Sequence, residues 1–113
     1  MMKIVAVTAC PTGIAHTYMA ADALNKTAHK FNISIKVETQ GAMGIENLLS
    51  AKDITLADKI MIVSDIDIEQ PNRFDPAKTV LIPMEDVLLN VERVFIKHGR
   101  VVKHTRDAQR SRS

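Results

Sequence analysis

The fold of this chain is decided by one stretch near its start, Ile4-Val5-Ala6-Val7-Thr8-Ala9-Cys10-Pro11-Thr12-Gly13-Ile14-Ala15-His16-Thr17. Its first, apolar half has the length and composition of a strand buried on both faces, as in a parallel sheet. Cys10, the only cysteine of the chain, ends this strand, and a turn with a proline and a glycine follows. The small and apolar residues after the turn recur with helical spacing, so a helix is predicted over residues 14–30.

The order strand, turn, helix places Cys10 beside the free backbone N–H groups at the positive end of a helix. Such groups favour a thiolate over a thiol, and they also accept the oxygens of a phosphate. We therefore expect Cys10 to be a nucleophile in an anion-binding loop that comprises Pro11, Thr12, Gly13, Ile14, Ala15, His16 and Thr17. The alternative is a buried structural cysteine at the end of a strand.

The rest of the chain continues the alternation of strands and helices. Further strands are predicted over residues 33–38, 59–64 and 79–82. Helical segments are predicted over residues 45–50, 53–57 and 85–97, and loops over residues 39–44 and 65–76. The strict alternation of apolar and polar residues in 33–38 is typical of a half-exposed strand near a sheet edge. Because strands alternate with helices, we expect an α/β fold with one parallel sheet covered on both faces.

Polar residues follow the predicted strands at the edge where open α/β sheets bind ligands. Cys10 follows the first strand, Gln40 and Gly41 follow the second, and Asp65 follows the third. We expect these four residues to converge on one rim of the sheet. The alternative for Gln40 and Asp65 is hydrogen bonding within their own loops, which is favoured for Asp65 because a carboxylate repels a phosphate.

Two further side chains, His16 and Arg73, have more than one interpretation. His16 either donates to a phosphate or stabilises the thiolate, or it faces solvent in the first turn of the helix. Arg73 either holds phosphate or partner carboxylates through charge-assisted hydrogen bonds, or is a solvated loop arginine. Geometry decides between the interpretations in both cases.

Length and cysteine count limit the possible classes of protein. The 113 residues suffice for one domain with its own core. A single cysteine provides no internal disulfide, which agrees with a reducing compartment such as the cytoplasm. No apolar window reaches the length that spans a bilayer. The histidines and Cys10 lack the paired spacing of a metal site, so we expect no metal ion.

Charge is distributed unevenly along the chain. Residues 97–113 contain six Lys or Arg against one Asp, a net charge of +5, and the first 96 residues carry −3. We predict one domain over residues 1–97 and a disordered basic tail over residues 98–113. The tail has two other interpretations, a junction left by fusion to another domain and a patch for anionic lipid headgroups. Because the basic residues have no interleaved aromatic residues, we expect no nucleic-acid partner.

The run of residues 10–21, Cys-Pro-Thr-Gly-Ile-Ala-His-Thr-Tyr-Met-Ala-Ala, resembles the phosphorylation loop of a known family. That family is the fructose-family (type 2) enzyme IIB of the bacterial phosphoenolpyruvate-dependent sugar phosphotransferase system (PTS). Residues 37–41 are similar to a second family segment, and residues 57–67 with Arg73 and Phe74 are similar to a third. The similarity covers roughly residues 2–97. The resemblance implies a Rossmann-like fold, with an open four-stranded parallel sheet in the order 2-1-3-4 and helices on both faces.

The resemblance also implies a function for Cys10. In this family the cysteine accepts a phosphoryl group from a phosphohistidine of enzyme IIA and passes it to a sugar, fructose or similar, bound by the membrane enzyme IIC. The backbone N–H groups of residues 12–17 and the hydroxyls of Thr12 and Thr17 would hold the phosphoryl oxygens, with no cofactor. The protein would then be cytoplasmic, peripheral to the inner face of the membrane through the transporter.

Three further classes of protein are compatible with a single cysteine. A small cysteine-dependent phosphatase has an arginine six positions after the cysteine, where this chain has His16, although Asp75-Pro76 is similar to the acid loop of such enzymes. The second class is a monothiol redox protein, and the third is a non-catalytic interaction domain. A dithiol redox protein is excluded because there is no second cysteine.

Overall fold

The computed structural model describes residues 2–10, 14–41 and 44–98. The elements follow one another as β1 (Lys3–Ala9), α1 (Ile14–Lys30), β2 (Ser34–Gly41), β3 (Gly44–Glu46), α2 (Ala51–Leu56), β4 (Lys59–Ser64), a 3₁₀ turn (Pro71–Arg73), β5 (Thr79–Ile82) and α3 (Met84–His98). The apolar runs that predicted β1, β4 and β5 are therefore strands, and α1 begins and ends where its helical spacing predicted.

The strands form one mixed sheet in the order β3-β2-β1-β4-β5. Neighbours among β2, β1, β4 and β5 pair in parallel, and these four strands have the expected order. The expectation of a four-stranded, all-parallel sheet is wrong, because β3 adds a fifth strand that runs antiparallel to β2.

A hairpin between β2 and β3 replaces the loop and helical segment that were predicted over residues 39–50. Strand β2 continues to Gly41, which pairs with Gly44, and Thr39 pairs with Glu46. Gly44 has a φ of 92°, a conformation that favours glycine and allows the chain to return beside β2. Because β3 has only three residues, it is too short for a period of two to be detected in the sequence.

Side chains of β1 alternate between two cores, one on each face of the sheet. Ile4 and Ala6 pack with residues of α1 and α3 on one face. Val5 and Val7 pack on the other face with Ile54 of α2 and other buried residues. Helices therefore lie on both faces, as expected, and the central strand carries buried side chains from Ile4 to Ala9. Full burial of each large apolar side chain contributes about 1.5–3 kcal/mol.

Two helices have caps that the sequence did not predict. Ser50, rather than Asp53, is the N-cap of α2: its side chain accepts a hydrogen bond from the Asp53 N–H, and the Asp53 carboxylate accepts one from the Ser50 N–H. Helix α3 is interrupted at Asn90, which has non-helical backbone angles. The Asn90 side chain accepts a hydrogen bond from the Arg93 N–H at 3.3 Å and so caps the second half of α3.

Helix α3 ends at His98, and the predicted basic tail beyond it lies outside the described residues. Within the described part of the chain, no helix has the length and apolar character needed to cross a membrane.

Candidate functional site

Cys10 lies at the carboxyl edge of the sheet, directly after β1. The preceding residue, Ala9, pairs with Gln40 of β2 on one side and with Ser64 of β4 on the other. Cys10 is half-buried and contacts the core that β1 shares with α1 and α3. Helix α1 begins at Ile14. Pro11, Thr12 and Gly13 of the predicted loop lie outside the described residues, as does the side chain of Ile14.

A groove of about 400 Å³ opens beside Cys10. Its walls combine residues from three places, the start of α1, the end of β4 and the first two turns of α3: Cys10, His16, Asp65, Met84, Glu85, Leu88 and Leu89. His16 is exposed, and so are the carboxylates of Asp65 and Glu85. The structure therefore brings three of the predicted site residues, Cys10, His16 and Asp65, to one open, partly apolar groove.

Asp65 also contacts the first residue of α3. Its carboxylate accepts a hydrogen bond from the Met84 N–H at 3.4 Å. A carboxylate is favourable at this position because the N–H groups at the start of a helix carry partial positive charge. Asp65 therefore makes a structural hydrogen bond, although to α3 rather than within its own loop.

Gln40 is buried and is not one of the residues that line the groove. Its amide nitrogen donates to the Glu38 carboxylate at 2.8 Å and to the Glu69 carbonyl at 3.1 Å. Its amide oxygen accepts from the Glu69 N–H at 2.8 Å. The Gln40 side chain thus makes hydrogen bonds to another loop, rather than contributing to the groove.

Gly41, at the end of β2, also lies outside the groove lining. A Cβ atom added at this position would lie 3.9 Å from the Tyr18 hydroxyl oxygen. That hydroxyl donates a hydrogen bond to Glu46 of β3, and this bond raises the pKa of Tyr18. Gly41 therefore lies where α1 contacts the hairpin, and of the four residues expected on one rim, Cys10 and Asp65 line the groove whereas Gln40 and Gly41 do not.

Glu38 and Arg73 form a buried ion pair that the sequence did not predict. The two guanidinium nitrogens Nη1 and Nη2 donate to the two carboxylate oxygens at 2.8 and 2.9 Å. Glu38 is fully buried and also accepts from the Leu49 N–H at 3.0 Å. Burial by itself raises the pKa of Glu38, but the hydrogen bonds from Arg73, Leu49 and Gln40 outweigh it and lower the pKa below its usual value. Arg73 is thus neither a solvated arginine nor available to hold phosphate.

The first turns of α1 place two polar residues in different surroundings. His16 is exposed and lines the groove, whereas Thr17 is fully buried. The Thr17 carbonyl accepts a hydrogen bond from the Thr8 hydroxyl at 3.2 Å. The Thr17 hydroxyl itself has no hydrogen-bond partner among the described residues, an arrangement that costs about 1–3 kcal/mol if nothing satisfies it.

Residues 2–10, 14–41 and 44–98 contain no candidate metal site. No three His, Cys, Asp or Glu side chains come together there in a way that could hold a metal ion.

The geometry defines a class of protein, an α/β domain with one cysteine at the carboxyl end of the central strand. The family model described as "PTS system, Lactose/Cellobiose specific IIB subunit" matches residues 5–97. The chain belongs to this family, the IIB subunits of the PTS, and is a phosphotransferase component of that system.

Comparisons with individual proteins point to the fructose type. The chain is 43% identical over 97 residues to the PTS system fructose-like EIIB component 2 of Escherichia coli K12, which covers 86% of this chain and 92% of that protein. It is 48% identical over 82 residues to the PTS system fructose-specific EIIABC component of Bacillus subtilis, covering 73% of this chain and 13% of that one. A crystal structure of a domain from the fructose-specific IIABC component of Borrelia burgdorferi has a TM-score of 0.81 and 39% identity, covering 89% of this chain and 96% of that domain.

These relatives confirm the resemblance found in the sequence. They are fructose-type IIB components and IIB-containing proteins, and none of them is named a phosphatase. The assignment of this chain as a phosphatase is therefore not favoured.

Proposed function

We propose that this chain carries a phosphoryl group on Cys10 between an enzyme IIA and a sugar bound by a membrane enzyme IIC. The Cys10 thiolate attacks the phosphorus of a phosphohistidine, so that a P–S bond forms as the P–N bond breaks. A sugar hydroxyl then attacks the same phosphorus, and the thiolate leaves as the P–O bond forms. The observation that carries this proposal is the position of Cys10, at the carboxyl end of β1 and on the wall of an open groove.

The surroundings of Cys10 suit the transfer of an anionic group. Cys10 precedes α1, a helix of 17 residues whose first N–H groups carry partial positive charge. We propose that the backbone N–H groups of residues 12–17, with the hydroxyls of Thr12 and Thr17, hold the phosphoryl oxygens. The buried Thr17 hydroxyl supports this role because it has no partner among the described residues. Positioning and charge neutralisation are most of what phosphoryl transfer requires from a protein.

Charges on the walls of the groove favour one side for the phosphoryl group. Asp65 and Glu85 repel a dianion, whereas His16 can donate a hydrogen bond to it. We therefore place the phosphoryl group on the α1 side of the groove, next to His16. The Gln40 amide is already bound to Glu38 and Glu69, and Gly41 lies beside Tyr18, so neither residue has a direct role in this scheme.

The names of relatives support the choice of partners. A fructose-like PTS system protein of Escherichia coli K12 is an EIIBC component, and the Bacillus subtilis relative is an EIIABC component. Both names join a IIB region to regions that would serve here as phosphoryl donor or acceptor. We propose that IIA and IIC dock in turn at the groove, on the cytoplasmic side of the membrane, and that the sugar is fructose or similar.

The test is phosphorylation by a phosphoenolpyruvate-driven cascade that ends in a phosphorylated enzyme IIA. Mass analysis should locate one phosphoryl group on Cys10, with the acid lability of a phosphocysteine. The Cys10→Ser variant should keep the fold, judged by circular dichroism, and accept no phosphoryl group. If the variant accepts phosphoryl groups as fast as the wild type, Cys10 is not the carrier. Steady turnover of an aryl phosphate by the wild type would instead support a phosphatase.

A further inference from the structure

Residues 65–73, here called the strap, connect both neighbours of β1. The strap leaves β4 at Ser64, which pairs with Ala9. Its residue Glu69 is bound to Gln40 of β2, which pairs with Ala9 from the other side. Because β1 lies between β4 and β2 in the sheet, the strap crosses β1 at the level of Ala9, on the face opposite the core that Cys10 contacts.

Two sets of hydrogen bonds hold the far end of the strap on β2. The first is the pair of bonds between the Gln40 amide and the backbone of Glu69, at 2.8 and 3.1 Å, which mimics the pairing of two strands. The second is the bidentate ion pair between Arg73 and the fully buried Glu38. The same guanidinium donates from Nε to the Gln70 carbonyl at 2.9 Å, so it binds β2 and the strap together.

The near end of the strap contacts the groove. Asp65 lines the groove with Cys10 and His16 and accepts the hydrogen bond from the first residue of α3. Residues 65–67 and 69–70 are exposed. Because Asp65 belongs to both the strap and the groove, a protein that docks over the groove to reach Cys10 also meets the near end of the strap.

We infer that Arg73 and Glu38 are positioning residues for phosphoryl transfer: their buried ion pair fixes the strap over β1, near the carboxyl edge of the sheet, as a pre-formed part of the surface on which the phosphoryl donor docks. This inference rests on the proposed function. Neither residue lines the groove, so both act through the strap. Because the strap is already ordered in the free protein, docking of the donor does not carry the entropy cost of ordering it. The affinity for the donor is therefore higher.

The best test is the double variant Glu38→Gln/Arg73→Met. The amide of Gln at position 38 can still accept the Leu49 N–H, while the ion pair and the bond to Gln70 are lost. Replacing both members of a buried pair leaves no unpaired charge, so the fold should persist. The matched control is Arg93→Met, which removes an exposed arginine on α3 that lies outside the strap.

The rate of Cys10 phosphorylation is measured against the concentration of phosphorylated enzyme IIA. We expect the KM for the donor to rise about tenfold in the double variant, with the rate at saturation and the final extent of phosphorylation within about twofold of wild type. Hydrogen exchange at the Glu69 amide, which is bound to Gln40, should also become faster. The Arg93→Met control should match wild type in all of these quantities.

The outcomes separate a positioning role from a purely structural one. A variant that is merely partly unfolded loses active protein, which lowers the rate at saturation and leaves KM unchanged, and that result overturns the inference. An unchanged KM with unchanged rates overturns it as well. If the wild type accepts no phosphoryl group, the proposed function fails, and unchanged exchange at the Glu69 amide would then refute the role of the ion pair in holding the strap.

Discussion

Replacing Arg73 alone with Met should destabilise the protein far more than the double variant. The single change leaves the Glu38 carboxylate fully buried, with the Leu49 N–H and the Gln40 amide as donors but no opposite charge. Removing one partner of a buried ion pair costs about 3–5 kcal/mol. Because two hydrogen bonds to Glu38 remain, we expect the free energy of unfolding to fall by about 3 kcal/mol near neutral pH.

The pH dependence follows from the direction of the pKa of Glu38. In the native protein this pKa lies below its usual value of 4.5, so the pair stabilises the fold above that pH and the stabilisation is lost as pH falls through the folded-state pKa. In Arg73→Met, burial without the guanidinium raises the pKa of Glu38 instead. The variant therefore loses stability as pH rises through the raised pKa, and its deficit relative to wild type is largest at neutral pH.

Urea unfolding followed by circular dichroism, at several values between about pH 5 and pH 8, measures both effects. The exposed control Arg93→Met should stay within about 0.5 kcal/mol of wild type at each pH. A deficit for Arg73→Met below about 1 kcal/mol at neutral pH would refute the argument from the buried carboxylate. A large deficit that stays constant over this pH range would show that lost packing, rather than an unpaired charge, is the cause.

Three further experiments, one of them with a matched control variant, test other parts of the structure. Ser50→Ala removes the N-cap of α2 and should lower the free energy of unfolding by about 1 kcal/mol in urea; no loss would mean that the cap is not formed. Phe95→Ala should lower the free energy of unfolding by about 3–5 kcal/mol because Phe95 is fully buried. Its control, Leu89→Ala, changes a residue that is 77% exposed and should alter that free energy by less than about 0.5 kcal/mol. Equal losses in the two variants would contradict the assigned core. Thr17→Val keeps the volume of Thr17 and removes its unpartnered hydroxyl, so stability should not fall while phosphorylation of Cys10 slows about tenfold; an unchanged rate would remove Thr17 from the phosphoryl site.

Local patterns in the sequence predicted the central elements well. The apolar runs of β1, β4 and β5 are long enough to identify each segment as a strand, and the helical spacing after Gly13 defines α1. The cysteine that ends β1 and the aspartate that follows β4 were expected at one edge. Cys10 and Asp65 line one groove at that edge because the carboxyl ends of parallel strands meet there.

The surroundings of β2 were not predictable in the same way. The alternation over residues 33–38 makes Glu38 one of the polar residues of a predicted half-exposed strand, and Gln40 was predicted in the loop that follows. In the structure Glu38 and Gln40 are buried, because the strap covers them. Alternation shows which residues share a face of a strand, but it does not show what packs on that face. The partner of Glu38, Arg73, is 35 residues away along the chain, so no local pattern reveals it. The hairpin with β3 was missed because three residues carry too little pattern.

The interruption at Asn90 divides α3 into two shorter helical parts with different contacts. The first, residues 84–89, contributes Met84, Glu85, Leu88 and Leu89 to the wall of the groove, and the second contains Val94 and Phe95, which are anchored in the core. Because the non-helical backbone angles at Asn90 break the helix, a tilt of its first part need not turn the second. Substitutions at Leu88 or Leu89 can therefore change the shape of the groove beside the Cys10 thiol while the packing of the core around Phe95 is kept.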